Sequence, residues 1–78
     1  MAGYRFLQEE AYAHIREQIV AGELAEDQIY SETKLAAMIG ISRTPVKDAL
    51  VRLSQERLVD ILPSKGFRLH RMSQEDIW

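Results

Sequence analysis

The feature that most constrains this chain is a change of hydrophobic period. Up to Leu53 the apolar residues recur at three- and four-residue intervals, whereas from Leu58 to His70 they form two short strand-like runs with a period of two. A helical repeat that gives way to a two-residue repeat predicts a mainly α domain closed by a small β-hairpin.

Leu7, Ala11, Ile15 and Ile19 recur every fourth residue between polar positions, which predicts an amphipathic helix from about Phe6 to Ala21. Gly22 supplies its stop. Glu23 to Gln28 reads as an acidic loop leading into Ile29 and Tyr30, a pair long enough only for a bridging strand. Ser31 is a good N-cap and Glu32 a good first-turn acid, so a second helix is expected from Ser31 to Ile39, burying Leu35, Ala36 and Ile39. Gly40 ends it. Ser42 offers another N-cap, and Val46, Ala49, Leu50 and Leu53 mark the apolar side of a third helix from about Ser42 to Gln55. Pro45 falls in its first turn, where a missing N–H costs little. Leu58 to Leu62 and Phe67 to His70 are joined by Pro63-Ser64-Lys65-Gly66, a hairpin signal, and Ser73 to Trp78 begins like the cap and first turn of another helix.

A chain of 78 residues buries only about 60% of the surface its unfolded form exposes. One core fits, and a deep substrate cavity beside it does not, so a self-contained enzyme is not expected. The absence of cysteine excludes a disulfide framework, a zinc knuckle and a thiol nucleophile. His14 and His70 have no acidic or thiol partner at ligand spacing, so neither a metal nor a cofactor is expected. No apolar run approaches a membrane span and the N-terminus lacks a signal-peptide core; a soluble, cytoplasmic protein without membrane contact is the expectation.

The formal net charge of −2 argues against nucleic acid as a partner, but the charges are segregated. Residues 1–40 set Arg5, Arg16 and Lys34 against seven acids, for −4; residues 41–71 set seven cations against Asp48, Glu56 and Asp60, for +4. The tail adds −2. A polyanion responds to the field of one face, so a bipolar domain can bind phosphates despite an acidic total.

Two short helices joined across Gly40-Ile41-Ser42 and followed by a hairpin have the order of a winged helix-turn-helix. Ala36 is small where the helices cross, Gly40 can take the left-handed backbone that redirects the chain, Ile41 is the turn's buried residue and Val46 fills the angle. The competing fold is an ordinary three-helix domain with a β-tail.

Ser31-Glu32-x-x-Leu35-Ala36, then Gly40-Ile41-Ser42-Arg43-Thr44-Pro45-Val46-Lys47-Asp48-Ala49-Leu50-x-x-Leu53 and a later Lys65-Gly66-Phe67, closely resembles the N-terminal DNA-binding domain of the GntR family of bacterial transcription regulators. The resemblance covers about Tyr12 to His70. It implies three helices plus a wing over residues 1–71, a recognition helix in the major groove and a wing tip at the minor groove, with a homodimer of the full-length protein on a palindromic operator. The ending Met72-Ser73-x-Glu75-Asp76-Ile77 resembles the linker into the all-helical effector domain of the FadR-like branch. Residues 72–78 would then begin that linker, the chain would be a piece of a longer protein, and any small-molecule effector would act through the absent C-terminal domain. The family pattern often has Arg where Thr33 and Lys47 stand, and Gly where Asp27 and Arg57 stand.

The candidate DNA-binding residues are Thr33, Ser42, Arg43, Thr44, Pro45, Lys47, Lys65 and Gly66. Ser42 and the free N–H groups at the start of the third helix suit a phosphate, although Ser42 serves equally as a plain N-cap. Arg43 has the planar fork that binds guanine O6 and N7, and the resemblance places it at the groove. Lys47 follows one turn later on the same row, a point charge suited to phosphate or base. Thr44 and Pro45 offer a hydroxyl and an apolar face for a thymine methyl, or are simply first-turn residues. Thr33 reaches a phosphate or base from the second helix. Lys65-Gly66 at the hairpin tip joins a charge to a residue whose backbone can approach a narrow groove, or Gly66 is needed only for its turn. Arg52, Arg68 and Arg71 are phosphate contacts or solvated cations. The alternative function is a winged-helix module that binds protein, whose third helix should present an apolar face without a cationic tip.

Overall fold

The computed structural model describes residues 2–70. The expected linker at 72–78, the helix start at Ser73 and Arg71 lie outside the described residues. The elements in order are α1 (Ala2–Val20), α2 (Glu32–Ile39), α3 (Arg43–Gln55), β1 (Val59–Leu62) and β2 (Gly66–Leu69). Helix α1 starts four residues earlier than the periodicity indicates, because nothing between Ala2 and Phe6 breaks a helix outright.

The three helices share one kind of ending. The N–H of Glu23 bonds the Gln18 carbonyl, that of Ile41 bonds Ala36, and that of Leu58 bonds Leu53. Each closure places the preceding residue in the left-handed region: Gly22 at φ 74°, Gly40 at φ 85° and Arg57 at φ 61°. Glycine carries this without strain at the first two positions. Arg57 carries a Cβ into this region, which costs an L-residue what glycine avoids.

Helices α1 and α3 pack most extensively, with α2 laid across α3. The core consists of Ala11 and Ile15 from α1, Leu35 and Ala36 from α2, Val46, Ala49, Leu50 and Leu53 from α3, and Val59 and Phe67 from the hairpin. Ile39 and Ile41 are half-buried and pack against its edge. The predicted apolar rows of all three helices therefore face one another.

Strands β1 and β2 pair antiparallel, with Leu62 opposite Gly66 and Val59 opposite Leu69. Tyr30 adds the expected bridge to Phe67, through Tyr30 N to Phe67 O at 2.7 Å and Phe67 N to Tyr30 O at 2.9 Å. The hairpin turn is closed by the Lys65 N–H donating to the Leu62 carbonyl at 3.0 Å. Pro63 takes its second position and Ser64, at φ 64°, its third, the arrangement of a type II turn. Gly66 is thus the first residue of β2 and not the tip.

Candidate nucleic-acid interface

The first turn of α2, the first two turns of α3 and the hairpin turn converge on a cleft of about 280 Å³. Thr33, Arg43, Lys47, Lys65 and Gly66 all line it, so residues separated by up to 33 positions meet in one place. Glu32 and Ser64 also line it, and neither is among the candidate residues that the sequence points to. Arg43 and Lys47 are exposed and stand one turn apart on α3, opposite the hairpin's Lys65. Among the described residues no ion pair within 4.0 Å occupies any of these three cations. The residues lining the cleft set these three cations against one carboxylate, Glu32, so the net field favours an anionic ligand.

Ser31 caps α2 by accepting from the Lys34 N–H at 3.2 Å, which holds that helix start at the cleft wall. Ser42 occupies the cap position of α3 with extended backbone, φ −75° and ψ 169°, but its side chain makes no capping hydrogen bond. Its exposed hydroxyl is not committed to the helix. Thr44 is exposed beside it.

Pro45 is placed differently from the expectation. It is fully buried, with its ring in the core row that continues through Ala49 and Leu53, so it presents no face to a base. The four-residue spacing of Pro45, Ala49 and Leu53 carried that signal in the sequence. The apolar residue on the exposed row is instead Val51, one turn beyond Lys47 and 40% exposed.

Gly66 also has a role that the fold itself demands. Its φ is 130°, and a Cβ there would collide with the carbonyl oxygen of Tyr30 and lie 3.0 Å from the carbonyl carbon. The missing side chain admits a neighbouring strand residue, so the reading as a glycine needed for its backbone is the one the geometry supports.

Arg52 and Arg68 point their charges elsewhere. Arg52 donates to Glu9 Oε1 at 2.8 Å and stacks 3.9 Å over the Tyr12 ring, which ties α3 to α1. Tyr12 in turn donates to Glu56 Oε1 at 2.5 Å. Arg68 lies 3.6 Å from Asp60, whose other carboxylate oxygen meets His70 Nδ1 at 2.8 Å. The Tyr12–Glu56 and Glu9–Arg52 partners lie 44 and 43 residues apart, beyond the reach of any local pattern. Among the described residues no group of three or more His, Cys, Asp or Glu could hold a metal ion, and no helix is long and apolar enough to cross a membrane.

Residues 7–69 match the sequence profile of bacterial regulatory proteins of the gntR family. The chain belongs to that family. Within it, the chain is 41% identical over 61 residues to an uncharacterised HTH-type transcriptional regulator in an unstable DNA locus of Streptomyces ambofaciens, covering 78% of this chain and 26% of the relative. It is 39% identical over 67 residues to another from the TAR-I ttuE-ttuC' intergenic region of Agrobacterium vitis, covering 86% and 39%. The chain thus spans between a quarter and two fifths of these relatives' length. Its fold resembles that of Escherichia coli McbR/YncC, with a TM-score of 0.78, 24% identity, and 91% of this chain and 34% of the other covered. Lar of Listeria monocytogenes, which controls expression of the agr system, has a TM-score of 0.73 at 26% identity, with 90% and 34% covered. The winged helix-turn-helix expected from the gntR-type motif is therefore the fold observed, and membership of a regulatory family agrees with the non-catalytic reading.

Proposed function

We propose that this gntR-family domain is the sequence-specific DNA-binding unit of a bacterial transcription regulator. Helix α3 enters the major groove with Arg43 on base edges and Lys47 on phosphate or base, while Ser64 and Lys65 at the hairpin turn meet the adjacent minor groove. The observation that carries this reading is the cleft that joins Arg43, Lys47 and Lys65. The phosphodiester strand that separates two grooves must run between an element in one and an element in the other, and the cleft lies between α3 and the hairpin. Ser42, Thr44 and Thr33 border that path and suit phosphate contact. A protein-binding winged helix is disfavoured because this face is cationic.

The finer parts of the reading concern the full-length protein. Two copies would occupy half-sites of a palindrome about one helical turn apart. The resemblance of residues 72–77 to a FadR-like linker supports a helical effector domain beyond a boundary near residue 71, through which a small molecule would act in the cytoplasm. Selection from a random duplex library, then titration of the selected duplex at two salt concentrations, tests the DNA-binding reading. A recovered motif with steeply salt-dependent affinity is expected, since bound cations displace condensed counterions. Failure to recover a motif, together with salt-independent binding, overturns it. Titrating this chain on one half-site and on the palindrome tests the dimer: nearly equal affinity per site places the dimerising contacts outside residues 1–78.

A further inference from the structure

Glu32 is a carboxylate where a DNA-binding cleft ought to exclude one. It stands in the first turn of α2, is half-buried, and lines the cleft with Arg43, Lys47 and Lys65. Among the described residues no hydrogen bond or ion pair engages it. A first-turn acid supports its helix through the backbone dipole from any exposed orientation. Helix stability therefore does not require that the carboxylate share a cleft with three cations.

We infer that Glu32 is a specificity-determining residue that reads a cytosine beside the base read by Arg43, an inference that rests on the DNA-binding function proposed above. The chemistry selects this ligand by elimination. A carboxylate only accepts hydrogen bonds, and the phosphate oxygens of the strand that follows this cleft repel it, so its one favourable contact with DNA is a donor on a base edge. In the major groove guanine presents N7 and O6 and thymine presents O4, all acceptors. Only the amino groups of adenine and cytosine remain. Adenine's amino group sits beside its own N7, which would oppose the second carboxylate oxygen; cytosine carries no acceptor beside N4 on its own major-groove edge, only C5–H. The same charge also acts against unrelated sequences. A duplex held only by its backbone sets phosphates against Glu32 with no amino group in return, so the residue raises discrimination by weakening the wrong complexes.

Repeating the duplex selection with Glu32→Gln tests this, because the glutamine amide matches the N6 and N7 pair of adenine. The expected result is a single position of the motif that prefers cytosine roughly tenfold in the wild type and shifts to adenine in the variant, with tighter binding to unrelated duplex. Glu32→Asp keeps the charge and the first-turn acid but withdraws the carboxylate by one methylene. It should lose the cytosine preference while melting at the same temperature as the wild type. A motif unchanged in both variants overturns the inference and leaves Glu32 as a helix acid. A wild-type chain that selects no motif overturns the DNA-binding reading itself, a distinct result obtained before either variant is made.

Discussion

Gly66 and Tyr30 occupy adjoining space: the Tyr30 carbonyl oxygen fills the place that a Cβ on Gly66 would take. The closeness is set by the paired hydrogen bonds between Tyr30 and Phe67, which draw the start of α2 against β2. The hairpin is thereby anchored to the segment that carries Ser31 and Glu32, and one wall of the cleft is fixed relative to the other.

Gly66→Ala should therefore damage the fold before it damages recognition. The variant must strain a φ of 130° and displace backbone, not a flexible side-chain end. A cost of about 2 kcal/mol or more is expected, which lowers the melting temperature by roughly 8 °C or more in a domain of this size. Lys65→Ala is the companion, expected to weaken DNA binding at an unchanged melting temperature. Thermal melts of both decide the matter, and a Gly66→Ala chain as stable as the wild type would refute the packing argument.

On α3 the two cations should separate in their effects. Arg43→Ala is expected to cost about 1–3 kcal/mol on the selected duplex and to relax preference at one position. Lys47→Ala should weaken selected and unrelated duplexes alike and lower the salt slope by about one. Arg52→Ala should leave that slope nearly unchanged, because its guanidinium is engaged by Glu9 and Tyr12. Binding isotherms across a salt series check all three. A slope that falls as far for Arg52→Ala as for Lys47→Ala would place Arg52 on the DNA.

What was legible in the sequence is what is written locally. Ser31, Gly40 and the apolar row of Val46, Ala49, Leu50 and Leu53 fixed the two central helices, since caps and periodicity act within a turn or two. The motif around Arg43 and Lys47 pointed to two residues of α3 that the structure brings to one cleft. Glu32 and Ser64 carry no such signal, because neighbours in sequence give each a sufficient local role, as a first-turn acid and a turn residue, while their shared cleft arises only from tertiary packing. Gly66 read as a tip residue for a similar reason. The register that makes it a strand residue, opposite Leu62 and against Tyr30, depends on a segment 36 positions away.

Tyr12 gives the stability a pH dependence in alkali. Its hydroxyl donates to Glu56, and that hydrogen bond, then lost hydration and the Glu56 charge, raise the phenol above its ordinary value near 10, against smaller opposing effects of Arg52 and Arg16. The folded chain thus holds the phenolic proton more tightly than the unfolded chain does. The resulting stabilisation is complete below pH 10 and is lost as the pH rises through the raised value. Tyr12→Phe keeps a ring beneath Arg52 but has no proton to lose. Wild type should melt higher than the variant at neutral pH, and the gap should close in alkali. A gap that is constant from pH 7 to 11 would show that the hydrogen bond contributes nothing through this proton.

The left-handed backbone at Arg57 makes the last prediction, and a three-way comparison isolates it. Arg57 closes α3 as Gly22 and Gly40 close the other two helices, but it carries a Cβ into φ 61°. For an L-residue that conformation costs about 1–2 kcal/mol, partly offset because glycine gives up more freedom on folding, about 0.5–1 kcal/mol. Arg57→Ala removes the side chain's own interactions and keeps the strain; Arg57→Gly removes both. The glycine variant should accordingly be more stable than the alanine variant by up to about 1 kcal/mol, a melting difference of several degrees. Comparing these two with each other, and not only with the wild type, cancels whatever the guanidinium contributes. If alanine proves equal to or better than glycine, the helix end is not strained at this position.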